Sequence, residues 1–300
     1  MAGPSQWLAG ARPRTLLASV SPVLIGIGSV WRAESPPLWD RAGLALLVAL
    51  ALQIGCNFAN DYSDGVRGSD QTRRGPTRLV QSGAASPGAV KAAAWTAFGL
   101  AAAAGAVLVW LTGEWWLLAV GAAAIAAAWF YTGGKHPYGY SGLGDIGVFI
   151  FFGPVPLLGT AYTQHLTVTW QGVVASVGVG LLGCAVLMAN NLRDIKADKQ
   201  AGKITLAVKL GDSKARSLYA WELWLAIACG AACAIGRPPV LIVLLMAIPV
   251  ARLASAVSAD DPDTRGDGLI RVLSRTTQVE FGYAVLLALS LADLGLLEHS

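Results

Sequence analysis

The sequence predicts an all-α, polytopic membrane protein, a single bundle of about nine transmembrane helices around a cavity that faces the cytoplasm. Three observations carry that reading. Of 300 residues, 55% are hydrophobic and only 13% charged, about half the charged share usual in a soluble domain. Apolar stretches close to the roughly 20 residues needed to cross a bilayer recur along the chain, separated by short polar or Gly/Pro-marked breaks. None alternates with the period of a barrel strand, and lipid offers no partner to a free backbone amide, so these stretches close their hydrogen bonds as helices.

The first span, near 14–32, follows Arg12 and Arg14 as a secretory signal would, but no small-residue cleavage site follows it and eight further spans do. Those spans are predicted at 40–59, 89–112, 114–131, 142–162, 171–190, 217–236, 239–257 and 278–296. One bundle is the simplest architecture, so residues 1–300 are read as a single domain. With a cytoplasmic N-terminus, 19 of the 22 Lys and Arg residues fall in the N-terminal segment and the loops after even-numbered helices, with the adjoining helix ends. Only Arg32, Arg41 and Arg237 fall opposite. That bias predicts a multi-pass protein of the cytoplasmic membrane, with its C-terminus outside. The net charge of +4 then requires no nucleic acid. Cys56, Cys184, Cys229 and Cys233 lie in or beside spans; without a nearby His or second pair they are read as packing residues rather than metal ligands.

The acids concentrate where spans meet the cytoplasmic face. NFANDYSDGVRGSD, from Asn57 to Asp70, follows the second span, and NNLRDIKADKQAGKITL, from Asn190 to Leu206, follows the sixth. If the helices extend through these motifs, Gln53, Asn57, Asn60 or Asp61, and Asp64 descend one face; Asn190 or Asn191, Asp194 and Asp198 do the same. A carboxylate stripe on an apolar helix must face a cavity or a partner. Two such stripes on one membrane side repel unless a cation lies between them, and oxygen donors without His or Cys suit Mg²⁺. Arg67, Arg73, Arg74 and Arg78 after the first motif, and Lys196, Lys199 and Lys203 with the second, suit phosphate oxygens. The combined pattern predicts a Mg²⁺-diphosphate site.

These residues resemble the UbiA superfamily of intramembrane aromatic prenyltransferases. NDYSD at Asn60 to Asp64 is similar to its first motif, Asp194 to Asp198 to its D-x-x-x-D motif, and Tyr131 to Lys135 to its Y-x-x-x-K motif. Longer stretches, RPRTLLASVSPVLIG, QIGCNFANDYSDGVRG, RRGPTRLVQSG and YSGLGDIGVFIFFGPVPLLGT, resemble the menaquinone (MenA) branch, which uses 1,4-dihydroxy-2-naphthoate. Many relatives continue the first motif with an acid where this chain has Gly68, so Asp70 is read as a loop acid.

The resemblance implies a polyprenyl diphosphate held through Mg²⁺ on Asn60, Asp61, Asp64, Asp194 and Asp198, with Lys135 and Lys203 as diphosphate contacts and Tyr131 near the reacting carbons. Asp64, Asp194, Tyr131 and Lys135 are the implied catalytic set. Gln53, Asn57, Tyr131 and Arg14, or Arg12, are candidates for the aromatic acceptor. Asp145 either positions substrate or orders its loop.

Other patterns point elsewhere and fail on context. GVGLLG at Gly178 to Gly183 lies inside a predicted span rather than between strand and helix, and its small residues suit close helix packing. Gly202-Lys203 is followed by Ile204, not by the Ser or Thr of a phosphate loop. His136, His165 and His299 form no triad. Tryptophans such as Trp110, Trp115, Trp116 and Trp170 sit at span ends, as interfacial anchors do. Two rival functions remain: a superfamily enzyme using another acceptor such as 4-hydroxybenzoate, and a cation-coupled transporter, which would carry acids at mid-span, where none is predicted here.

Overall fold

A computed structural model describes residues 2–32, 34–68 and 78–292. Its elements, in order, are α1 (Pro4–Ala11), α2 (Pro13–Val30), α3 (Trp39–Arg67), α4 (Pro87–Thr112), α5 (Leu117–Phe130), α6 (Gly144–Phe152), α7 (Pro154–His165), α8 (Trp170–Gln200), α9 (Leu206–Leu210), α10 (Asp212–Ala232), α11 (Ala247–Ser258) and α12 (Gly268–Leu291). Three 3₁₀ segments, Tyr138–Tyr140, Pro238–Met246 and Pro262–Thr264, complete the regular structure, and no named strand occurs among the described residues.

Each predicted span falls on a helix or a helix pair. The stretch 142–162 is broken into α6 and α7 at Gly153, with Pro154 opening the second helix. Gly153 lies so close to α8 that an added Cβ would meet the Ser176 carbonyl at 2.6 Å, so a glycine is required at that crossing. Similarly, 239–257 is a 3₁₀ run that continues as α11. Among the described residues, six segments are long and apolar enough to cross a membrane: α2, α3, α4, the α6–α7 pair, α8 and Pro238–Ser258. The chain is therefore a multi-pass membrane protein. Of the remaining predicted spans, α5 is apolar but shorter, and α10 and α12 are long helices with buried faces.

Helix starts are written locally. Ser86 caps α4, accepting the Ala89 amide, and Pro87 fills the first turn, where no amide partner is needed. Thr169 caps α8 and Thr205 caps α9 in the same way. The ends of α3 and α8 depart from the apolar pattern. The second span is predicted to stop near residue 59 and the sixth near 190, yet α3 continues to Arg67 and α8 to Gln200. Both helices persist because their polar faces are buried against protein: Gln53, Asn57, Asp61 and Asp64 on α3, and Asn191, Asp194 and Asp198 on α8. Gly68, with φ of 71°, closes α3 in the left-handed conformation and donates its amide to the Asp64 and Gly65 carbonyls.

The largest core cluster joins α8 to α10, α11 and α12, and includes Ile25 of α2 and Leu157 of α7. The Gly178 to Gly183 stretch serves this packing, since an added Cβ on Gly178 would meet the Tyr283 hydroxyl at 2.5 Å and one on Gly180 the Phe149 carbonyl at 2.9 Å. A second cluster, with Phe58, Ala59, Leu79, Val90, Ala94 and Phe98, joins α3 to α4. Trp39, Trp110, Trp115, Trp116 and Trp170 are exposed, as anchors at an interface are. All four cysteines are free thiols.

The absence of mid-span acids is not borne out. Glu222 and Glu280 are buried near the centres of α10 and α12, because these helices begin earlier than the apolar pattern indicates. Neither lines the cavity described below.

Candidate active site

One cavity of about 360 Å³ is lined from both polar stripes. The acid Asp64 and carboxamides such as Asn60 from α3, and Asn190 and Asn191 from α8, line it, together with Arg78 and Lys203 from the segments that follow those helices. The predicted metal ligands Asp194 and Asp198 are not part of its wall, because Arg193 and Lys203 hold them to one side. Tyr131, Thr132 and Tyr138 join the wall from the connection after α5. From this polar end the cavity runs between α2, α3, α4, α5 and α7 over apolar surface that includes Val48, Leu52, Leu108, Val120 and Ala124. It is therefore amphipathic, with a charged mouth and an oily channel.

The mouth is a network of charge pairs. Arg78, 5% exposed, donates to Asp64 Oδ2 at 2.7 Å and to the Asn60 carbonyl at 3.0 Å. Tyr140 donates its hydroxyl to the other Asp64 oxygen at 2.5 Å. On α8, Arg193 forks onto Asp194 through Nε and Nη2 at 2.7 and 2.6 Å and also reaches Asn190. Lys203 lies 3.7 Å from Asp198. Asp61 differs from its neighbours: its two oxygens accept the backbone amides of Leu79 and Val80 at 2.8 and 3.1 Å.

Tyr140 connects the two halves. Its ring is approached by the Arg67 guanidinium at 5.3 Å and the Lys203 ammonium at 5.4 Å, and its carbonyl accepts the Ile204 amide at 2.9 Å. Arg67 donates to the carbonyls of Thr132 and Gly134. It fastens the end of α3 to the YTGGK turn and does not line the cavity. Tyr131 and Tyr138 meet edge to face with ring centroids 5.5 Å apart. Burial pushes the Tyr138 phenol up, so it is neutral at ordinary pH.

At the α2 side, Arg12 occupies the break between α1 and α2 in a left-handed conformation, φ 55° and ψ 66°. A non-glycine residue there carries about 1–3 kcal/mol of strain, and its side chain lines the cavity. Arg14 instead lines a separate groove with Leu17, Ile270, Arg271, Ser274, Thr277 and Gln278. Beside Arg12, Asn57 donates to the Ala11 carbonyl at 2.9 Å and Thr15 Oγ1 at 3.1 Å, and Gln53 donates to Thr15 Oγ1 at 3.3 Å. Both carboxamides line the cavity.

Of the other predicted contacts, Lys135 and Lys199 are exposed and do not line the cavity. Arg73, Arg74 and Asp70 lie outside the described residues. Asp145 is buried at the start of α6 and its carbonyl accepts the Cys184 thiol at 3.4 Å. Sequence reasoning missed Tyr140, Thr132, Tyr138 and Arg193. Arg193 carried a signal, sitting between Asn190 and Asp194; the loop residues carried none, because their positions depend on how the 131–140 connection folds back.

Among the described residues no group of three His, Cys, Asp or Glu side chains stands assembled as a metal cage. The donor set nevertheless fits a hard cation. Asn60 and Asp64 face the same cavity as Asn190 and Asn191, and the amide and carboxylate oxygens are of the kind that bind Mg²⁺ together with water and phosphate. Arg78, Arg193 and Lys203 balance the acids.

Comparison with known proteins agrees. The description "UbiA prenyltransferase family" matches residues 19–271. The chain is 56% identical to 1,4-dihydroxy-2-naphthoate octaprenyltransferase of Mycobacterium tuberculosis over 220 residues, which is 73% of this chain and 74% of that one. It is 40% identical to the enzyme of that name from Escherichia coli over 230 residues, 74% of each chain. A solved UbiA homolog from Archaeoglobus fulgidus, bound to GPP and Mg²⁺, has the same fold with a TM-score of 0.63 at 14% identity, covering 94% of this chain and 99% of that one. By the extent of the family match and by these identities, the chain belongs to the UbiA prenyltransferase family.

Proposed function

We propose that this protein is a Mg²⁺-dependent 1,4-dihydroxy-2-naphthoate polyprenyltransferase, acting in menaquinone synthesis at the cytoplasmic face of the membrane as one domain over residues 1–300. The observation that carries the reading is the single amphipathic cavity, whose charged mouth holds residues from both acidic motifs and whose channel suits a prenyl tail. The names of the relatives supply the acceptor.

In this reading Asn60 and Asp64 on the cavity wall would hold the metal, together with Asp194 and Asp198 once these turn from Arg193 and Lys203, and the metal would supply positive charge to the departing diphosphate. Arg78 and Lys203 turn from Asp64 and Asp198 towards the diphosphate oxygens as the substrate enters. Thr132 and Tyr138 border the same mouth. The apolar wall excludes water from the allylic carbon as its bond to oxygen breaks, which protects the developing carbocation from hydrolysis. Tyr131 presents its ring at the reacting end. Arg12, Gln53 and Asn57 orient the naphthoate, whose carboxylate-bearing carbon takes the prenyl group. The electron pair of the carbon-carboxylate bond returns to the ring as carbon dioxide leaves, giving demethylmenaquinol. Lys135 and Lys199 fit an outer set of exposed basic residues that attracts the anionic substrate.

Membranes or detergent-purified protein, given Mg²⁺, a polyprenyl diphosphate and dihydroxynaphthoate, yield prenylated naphthoquinol. Product from 4-hydroxybenzoate in its place overturns the acceptor assignment. Arg12→Ala raises the KM for dihydroxynaphthoate about tenfold or more, the loss of one charge-assisted contact, and changes that for the diphosphate little. Arg14→Ala leaves the acceptor KM near normal; the opposite ranking of the two variants assigns the carboxylate to Arg14.

A further inference from the structure

The sequence pattern groups Asp61 with the acids of the metal site, but its geometry gives it a different task. We propose that Asp61 is a positioning residue, whose carboxylate pins the Arg78–Val80 backbone to α3 and so presents the Arg78 guanidinium at the diphosphate end of the cavity. The inference rests on the prenyl-transfer reading for the identity of that anion.

Four observations converge. Asp61 is 1% exposed, and unlike Asn60 and Asp64 it is not part of the cavity wall. Both of its oxygens are engaged by main-chain donors, the amides of Leu79 and Val80 at 2.8 and 3.1 Å. Those amides belong to the two residues directly after Arg78, whose side chain reaches Asp64 and the Asn60 carbonyl. The same segment is gripped from other sides. Leu79 packs beneath α1, where an added Cβ on Gly10 would meet its Cδ1 at 2.9 Å, and Val80 covers Gly65, where an added Cβ would meet Val80 at 2.6 Å.

A carboxylate with two amide bonds holds a rigid two-point grip that few other side chains reproduce. Arginine side chains are long, so fixing the backbone from which one springs limits where its guanidinium reaches. The helix supplies the geometry. Asn60 and Asp64 stand one turn apart on the cavity face, and Asp61, one residue on from Asn60, is rotated away towards the returning chain. One turn of α3 thus contributes two side chains to the site and one to its support.

The test is Asp61→Asn in the full-length protein in detergent or nanodiscs. Asparagine keeps one acceptor oxygen and turns an amide donor towards a backbone donor. The expected result is a ten- to hundredfold weaker binding of geranyl S-thiolodiphosphate, a non-reacting probe, of the order expected from losing one or two hydrogen bonds to a charged group. The KM for the reacting diphosphate rises in parallel, and kcat at saturation and the Mg²⁺ concentration for half-maximal rate change little. Gly65→Ala, which touches no polar group but pushes on Val80, reproduces the pattern and covers the case in which Asp61→Asn fails to fold. In an Arg78→Ala background Asp61→Asn has little further effect. A raised Mg²⁺ requirement in Asp61→Asn overturns the proposal, as does probe binding that stays normal in both single variants. If the wild-type protein itself fails to bind the probe, the prenyl-transfer reading falls, which is a separate result.

Discussion

Asp64→Asn lowers turnover by at least about a thousandfold, roughly 4 kcal/mol of barrier at 1.36 kcal/mol per decade. Asp64 is the acid that lines the cavity and meets both a guanidinium and a phenol, so its charge stands where the diphosphate and its metal arrive. Asparagine matches it in shape and still accepts from Tyr140 or Arg78, which confines the change to the lost negative charge. Leaving Arg78 less well paired costs about 1–3 kcal/mol of stability, visible as a lower melting temperature in detergent. The rate therefore falls far more than the fold weakens. The Mg²⁺ requirement of the residual activity also rises. If Asp64 served only as counter-ion to Arg78, Asp64→Asn and Arg78→Ala would be equally slow and the double variant no slower, with an unchanged Mg²⁺ requirement. That outcome removes Asp64 from the metal site.

Chelation with excess EDTA stops turnover, a fall of about a thousandfold or more given the several kcal/mol a divalent ion contributes at a departing phosphate group. Added Mg²⁺ restores it. The protein keeps its helix content and melting temperature throughout, because Asp64, Asp194 and Asp198 already have basic partners in Arg78, Arg193 and Lys203. These pairs keep the two stripes from repelling when no metal is bound, so metal loss differs in kind from the unfolding seen when a structural zinc is removed. Retention of more than about a tenth of the rate in excess chelator, well outside a role worth several kcal/mol, sinks the metal assignment; loss of helix content on chelation shows instead that the cation is structural.

Much of the site was legible because the relevant signals are local. Gln53, Asn57, Asn60 and Asp64 recur at three- to four-residue steps, and a helix turns such spacing into one face whatever surrounds it. The same holds for Asn191, Asp194 and Asp198. Lys203 and Lys199 illustrate the limit. Both are basic residues beside the second motif, yet Lys203 faces the cavity and Lys199 is exposed, a difference set by the turn that follows α8. Arg12 and Arg14 differ for a similar reason, since the left-handed break at Arg12 separates the directions in which they point.

By itself the sequence determined the apolar helices, their membrane-spanning lengths and the two polar stripes, since hydrophobic length and helical period depend only on neighbours along the chain. Only the tertiary structure decided that α3 and α8 run on through their motifs and that Asn60 and Asp64 share one cavity with Asn190 and Asn191. It also selected Arg12, Arg78 and Lys203 as the cations facing that cavity, and turned Asp61 towards the Leu79 and Val80 amides. Those outcomes depend on contacts between residues distant in sequence, where the burial of one element's polar face is satisfied by another's backbone or charge.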